Sequence, residues 1–190
     1  MLELGHHIPR KGNRLTAALG RLIFKLFGWK FAGELPNEPK MVLAVAPHTS
    51  NFDFIIAMAA VFALRLHVSF MGKHTLFRFP IKGLMYRLGG IPVNRNSSQG
   101  LIGQMVEKFA DEEQLILGIA PEGTRKIVKK WKKGFAIIAK EANVPILPVM
   151  LDYKTKSIRF EPLIRDVSDP ETSLTQMKEY TMKVLPKGIQ

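Results

Sequence analysis

The sequence contains no cysteine, which rules out disulfides, zinc–thiolate sites and a cysteine nucleophile. It has no GxSxG elbow, so a covalent acyl-enzyme has little support. The five histidines show no HExxH-type spacing, and no metal site is expected. Acidic residues are outnumbered, 16 against 28 cations, for a net charge of +12. Such an excess attracts nucleic acid, anionic lipid headgroups or an acidic protein, and charge alone does not choose among them. The longest unbroken apolar run, residues 54–64, falls well short of the ~20 needed to cross a bilayer. "MLELGHHIPRKGNR" has no long apolar core or small-residue cleavage site, so no secretory signal is expected.

What is present is ordinary globular material: 190 residues, 46% apolar and 23% charged. That fits one domain with a substantial core. In residues 15–29, Leu15, Ala18, Leu19, Leu22, Ile23 and Leu26 recur at helical spacing, with Arg14, Arg21 and Lys25 on another face. This segment reads either as an interfacial helix or as one packed on a sheet, and residues 1–33 are expected to form an amphipathic helical piece ahead of a main domain, 34–190. Within that domain "KMVLAVAP", "HVSFMG", "IPVNR", "QLILGIAP", "VPILPVML" and "KSIRFEPLI" read as strands. Residues 54–64, "FPIKGLMYRLGG", the Leu101–Ile102–Met105–Val106–Phe109 face, 134–143 and 171–184 read as helices. The alternation predicts an α/β fold, a single-domain sandwich with a largely parallel central sheet flanked by helices. Ligands of such sheets sit beyond the carboxyl ends of strands, where His48, Arg95 and Glu122 all fall.

"APHTSNFDF", residues 46–54, supports two readings. Ser50 or Asn51 caps a helix whose dipole Asp53 complements; or His48 transfers protons while Asp53 orients and charge-stabilises its ring. "APEGTRK" is either a turn made possible by Gly123 or a site where Arg125 binds phosphate and Glu122 accepts hydrogen bonds. "GGIPVNR" allows close backbone approach and offers Arg95 as a second anion ligand.

Taken in order, "HTSNFD", "GGIPVNR", "PEGTR" and "VPILPVML" resemble the four blocks of the glycerolipid acyltransferase family, the 1-acyl-sn-glycerol-3-phosphate (lysophosphatidate) acyltransferases and their relatives. The resemblance covers residues 42–151, over half the chain. It implies a glycerol-3-phosphate acyltransferase-like fold and His48 as general base, with Asp53 orienting it. The acceptor hydroxyl would attack an acyl-CoA or acyl-carrier-protein thioester directly, with no other cofactor. Arg95, Glu122, Gly123, Thr124 and Arg125 would hold a lysophospholipid acceptor. Val144, Pro145, Ile146 and Pro148 would border the acyl chain, though a core strand explains them equally. Two departures, Pro47 where asparagine is common and Lys126 where serine is common, bear on acceptor specificity.

"RKIVKKWKK", residues 125–133, holds six cations around Trp131. A solvated basic loop is the plain explanation. The alternative gives Lys129, Lys130, Trp131, Lys132 and Lys133 contact with an anionic membrane or an acidic thioester donor, and a peripheral position on the cytoplasmic face. A nucleic-acid-binding domain is the competing class, but aromatic residues are not interleaved with the cations as in RNA readers, and no nucleic acid is expected. A non-catalytic lipid binder and a hydrolase that activates water also remain.

Overall fold

The computed structural model describes residues 4–93, 98–123 and 131–184. Among these, one sheet contains β1 (Lys30–Gly33), β2 (Lys40–Ala46), β3 (Val68–Lys73), β4 (Gly90–Val93), β5 (Leu115–Ile119), β6 (Ile146–Asp152) and β7 (Ser157–Phe160). Their order is β1-β7-β6-β2-β5-β3-β4. Every pairing is parallel except that of β6 with β7. The helices are α1 (Arg14–Phe27), α2 (Asn51–Leu64), α3 (Lys82–Arg87), α4 (Ser98–Asp111), α5 (Gly134–Glu141) and α6 (Pro170–Met182).

The central strands are apolar on both sides because both faces are covered. In β2, Met41 and Leu43 join a cluster with Phe24 of α1 and Ile56, Ala59 and Ala60 of α2. The alternate residues Val42, Ala44 and Ala46 join Met105 and Phe109 of α4, Phe135 and Ile138 of α5, and Met177 of α6. The period-two alternation thus feeds two cores, one on each face. The expected α/β sandwich with a largely parallel sheet is the observed fold.

One feature differs from expectation, and a second bears on a reading left open. Residues 30–33 are not part of a helical segment: β1 pairs in parallel with β7, Lys30 against Ser157 and Gly33 against Phe160. The run KFAG is too short to show a pattern of its own and gains its place from β7. The second concerns α1, which buries Ala17, Gly20 and Phe24 while Leu15, Leu19, Leu22 and Leu26 stay exposed. Small residues win the inner face because α1 and α2 come very close. A Cβ at Gly20 would stand 2.5 Å from both the Ala59 carbonyl oxygen and the Ala63 amide nitrogen.

Gly20→Ala is therefore expected to force α1 off α2 and lower stability by ~1–3 kcal/mol, the usual range for overpacking. Gly103→Ala in α4, where a Cβ meets nothing within 4 Å, is expected to gain ~0.5–1 kcal/mol from helix propensity. Urea midpoints at unchanged m-value measure both.

Candidate active site

The site forms where β2 and β5 end side by side. Ala44 is paired with Ile119; four residues beyond the first comes His48, and three beyond the second comes Glu122. The chain then enters α2, and Ser50 caps it, its hydroxyl accepting from the Phe52 amide at 3.2 Å. Asp53 sits in the first turn and reaches back, Oδ2 accepting from the amides of Thr49 at 2.7 Å and Ser50 at 2.6 Å. Glu122 Oε2 accepts from the His48 amide at 2.7 Å. Three successive N–H groups of this turn, residues 48 to 50, thus donate to carboxylates from two different elements. The helix-capping reading and the dyad reading of Asp53 are geometrically compatible, since the carboxylate that accepts the turn's amides also lies 3.5 Å from the His48 ring.

The His48 ring presents Nδ1 to Asp53 Oδ2 at 3.5 Å, with 27% of the imidazole side chain exposed and none of the carboxylate. At that separation the pair is longer than a formed hydrogen bond, and unliganded sites often tighten only around a substrate. The firmer anchors of Asp53 are the two amides, the Ser50 hydroxyl at 3.1 Å and the Tyr153 hydroxyl, which donates a short bond to Oδ1. Burial opposes the charge of Asp53, but His48, Tyr153 and Ser50 outweigh it and hold the pKa at about 2. The carboxylate is a buried, fixed anion facing the imidazole ring. Tyr153 is shifted far upward, by burial first and then by its bond to Asp53 and the charge there, so it stays a donor. Burial also raises Glu122, against the pull of the His48 amide.

Tyr153 was not singled out from the sequence. It lies 100 positions from Asp53 but immediately follows β6, which is paired in parallel with β2, Ala46 against Met150. The rule that pointed to His48 and Glu122, residues just past carboxyl ends of strands, points to it as well. Its ring also meets Trp29 edge-on, 5.1 Å between centroids.

The other expected residues divide into three groups. Gly123 adopts φ +64 in the turn after β5, and the Lys132 side chain crosses it so closely that a Cβ would meet Cδ at 2.9 Å. Lys132 also donates its amide to the Pro121 carbonyl at 2.8 Å, so residues 131–133 run beside Glu122. Trp131 is half-buried against the α4–α6 core, and Lys133 pairs with Glu171. Of the proposed acyl-contact residues, Val144 and Ile146 are buried within that same core, Pro148 is buried in β6, and Pro145 is half-buried. Here they serve as packing. Arg95, Thr124, Arg125, Lys129 and Lys130 lie outside the described residues.

The depressed Asp53 pKa carries a stability consequence with a definite sign. Ionised Asp53 contributes its full stabilisation above its ordinary pKa of 3.8, and this is lost as pH falls toward about 2; the magnitude is on the order of 2 kcal/mol. Tyr153→Phe is expected to raise the Asp53 pKa and to cost ~1–2 kcal/mol at neutral pH. Carboxyl NMR titration and urea unfolding measure these; an unmoved Asp53 titration contradicts the assignment.

Comparison with known proteins bears on the family and the fold. A family model described as Acyltransferase matches residues 30–152. The chain is 27% identical over 152 residues to a 1-acyl-sn-glycerol-3-phosphate acyltransferase of Limnanthes douglasii, covering 75% of this chain and 52% of that protein. It is 28% identical over 149 residues to one of Streptococcus pneumoniae, covering 73% and 55%. The chain thus spans about half the length of these relatives. The crystal structure of the 1-acyl-sn-glycerophosphate (LPA) acyltransferase PlsC from Thermotoga maritima superposes with a TM-score of 0.65 at 18% identity, over 90% of this chain and 76% of that one; this likeness concerns the fold. With the family model spanning well over half of its residues, the chain belongs to the glycerolipid acyltransferase family.

Proposed function

We propose that the protein is an O-acyltransferase. It moves a fatty acyl group from an acyl-CoA or acyl-carrier-protein thioester to the free hydroxyl of a lysophospholipid such as 1-acylglycerol 3-phosphate. The observation that carries this reading is a part-exposed imidazole facing a buried, ionised carboxylate at the carboxyl edge of the sheet. With Nδ1 turned to Asp53, Nε2 is the nitrogen left for the acceptor. It removes the hydroxyl proton as the oxygen attacks the thioester carbonyl, and Asp53 stabilises the imidazolium that forms. Collapse of the tetrahedral intermediate expels the thiolate, which takes up the proton from His48. No protein nucleophile is required, and the sequence has neither a cysteine nor a GxSxG elbow.

Positive charge beside the site supports a phosphate-bearing acceptor and an acidic or phosphorylated donor. Lys132 lies against Gly123, next to Glu122, and Arg95 and Arg125 are assigned to the acceptor phosphate by the family resemblance. Among the described residues no helix is long and apolar enough to cross a membrane. We place the protein peripherally, on the anionic cytoplasmic face of a membrane where such acceptors reside.

Transfer of label from an acyl thioester to 1-acylglycerol 3-phosphate tests the reaction. His48→Ala is expected to lose ~10²–10⁴-fold or more in rate while keeping its circular dichroism and unfolding midpoint. Full turnover in that folded variant sinks the assignment. Arg125→Ala is expected to raise KM for the phosphate-bearing acceptor about tenfold or more with a smaller change in kcat, because a charge-assisted bond to phosphate acts on binding.

A further inference from the structure

The amino-terminal edge of the sheet, opposite the edge that carries His48, holds a cavity of about 200 Å³. β3, β4 and β5 run parallel, with Phe70 beside Gly90 and Val68 beside Ile116, so the starts of all three strands meet there. Buried Ser69 and Leu115 form its floor with half-buried Ile91, and Lys108 and Glu112 of α4 form a wall. Lys11 and His67 stand exposed at the rim. The strap ahead of α1 fixes both: Lys11 donates its amide to the Arg65 carbonyl at 3.0 Å, and His67 donates its own to the Pro9 carbonyl at 2.8 Å. The volume falls below the ~300 Å³ at which pockets for drug-sized ligands begin. A small ion or a molecule of a few carbons fits; a nucleotide or a fatty chain does not.

Ser69 is the residue that packing does not explain. It lies within the sheet, opposite Leu117 of β5, and is 7% exposed. Among the described residues its hydroxyl has no hydrogen-bond partner, yet no side-chain polar atom of these residues is both sealed off and unpartnered. The hydroxyl therefore opens into the cavity. A buried hydroxyl without a partner costs stability, and a ligand that bonds to it removes that cost.

The charges around this hydroxyl favour an anion. Burial first, then the charge of Lys11, with Lys108 adding to it, holds the His67 imidazole below its ordinary pKa, and Glu112 opposes them. Lys108 Nζ pairs with Glu112 at 2.8 Å. The carboxyl end of α4 also faces this edge, but Lys40 covers it by donating to the Phe109 carbonyl at 2.6 Å. Two ammonium groups, one carboxylate and an imidazole biased toward its neutral form thus surround the Ser69 hydroxyl. A tetrahedral oxyanion would accept from Ser69 and from both lysines, and its charge would let His67 take up a proton. Glu112 is placed to accept from a hydroxyl carried by the same molecule.

We infer that this cavity is a binding site for a small phosphate-bearing molecule, held by Ser69, Lys11 and Lys108 on the edge of the sheet away from the catalytic residues. It shares no residue with the His48–Asp53 pair and does not rest on the acyltransfer reading.

NMR of the His67 ring in the full chain, titrated with inorganic phosphate at constant ionic strength, tests the inference. A saturable change and a raised His67 pKa are expected. The urea midpoint should rise with phosphate, as it does for any ligand that binds only the folded state. Ser69→Ala is expected to weaken binding about tenfold, the scale of one bond to a charged group, without lowering the midpoint in the absence of phosphate. Lys11→Ser/Lys108→Ser is expected to lose about tenfold or more. Arg125→Ala, aimed at the proposed acceptor site, should leave the His67 response intact. Repeating the titration with glycerol 3-phosphate separates the sources: tighter binding than inorganic phosphate identifies an ester with Glu112 on its hydroxyl, and weaker binding identifies the free ion. A His67 signal that follows ionic strength alone overturns the inference. So does wild-type affinity in Ser69→Ala, or a response that disappears in Arg125→Ala.

Discussion

The turn between β2 and α2 is held by anions buried beneath it. Asp53 and Glu122 accept the amides of three consecutive residues, and the imidazole of His48 projects from the first of them. A buried carboxylate is costly unless its lone pairs are filled. Asp53 has two amides and two hydroxyls in place, which is why it remains ionised with no solvent contact. The contributors come from four places in the chain: the β2 end, the first turn of α2, the β5 end and the residue after β6. Registering those strands in one parallel sheet is therefore what assembles the site, and a slip of one pairing would scatter it.

Much of this was legible because the relevant signals are local. The apolar runs of β2, β5 and β6 announce strands buried on both faces, and His48 and Glu122 follow two of them directly. Asp53 lies within one helical turn of the cap, so its spacing from His48 already carried both of its tasks. Tyr153 was not found, because its partner is 100 residues away and a tyrosine after a strand has no distinctive neighbours. The orientation of α1 was left open between two readings for a different reason. Periodicity identified its leucine row, but the shape of the opposing helix decides which face is buried, and Gly20 allows a backbone approach that leucine cannot. β1 is four residues whose strand character is supplied by β7.

The proposed acyl-contact residues fit the core-strand alternative that the sequence left open. Val144 and Ile146 contribute to the core shared with α4, α5 and α6, and the physics of a central strand accounts for them fully. Trp131 is similar: a tryptophan among lysines suggests an interface in sequence, but its ring lies against the core. Apolar side chains without such cover are found instead on α1 and on the segment after β3, where no family block falls.

The saturation of the turn also limits where catalytic help can come from. When a thioester carbonyl becomes tetrahedral its oxygen gains negative charge, and many acyl-transfer enzymes meet that oxyanion with free main-chain N–H groups. Here the amides of residues 48, 49 and 50 already face carboxylates, which would repel such a charge. Under the proposed reaction, the donors to such an oxyanion would have to be groups other than these three amides.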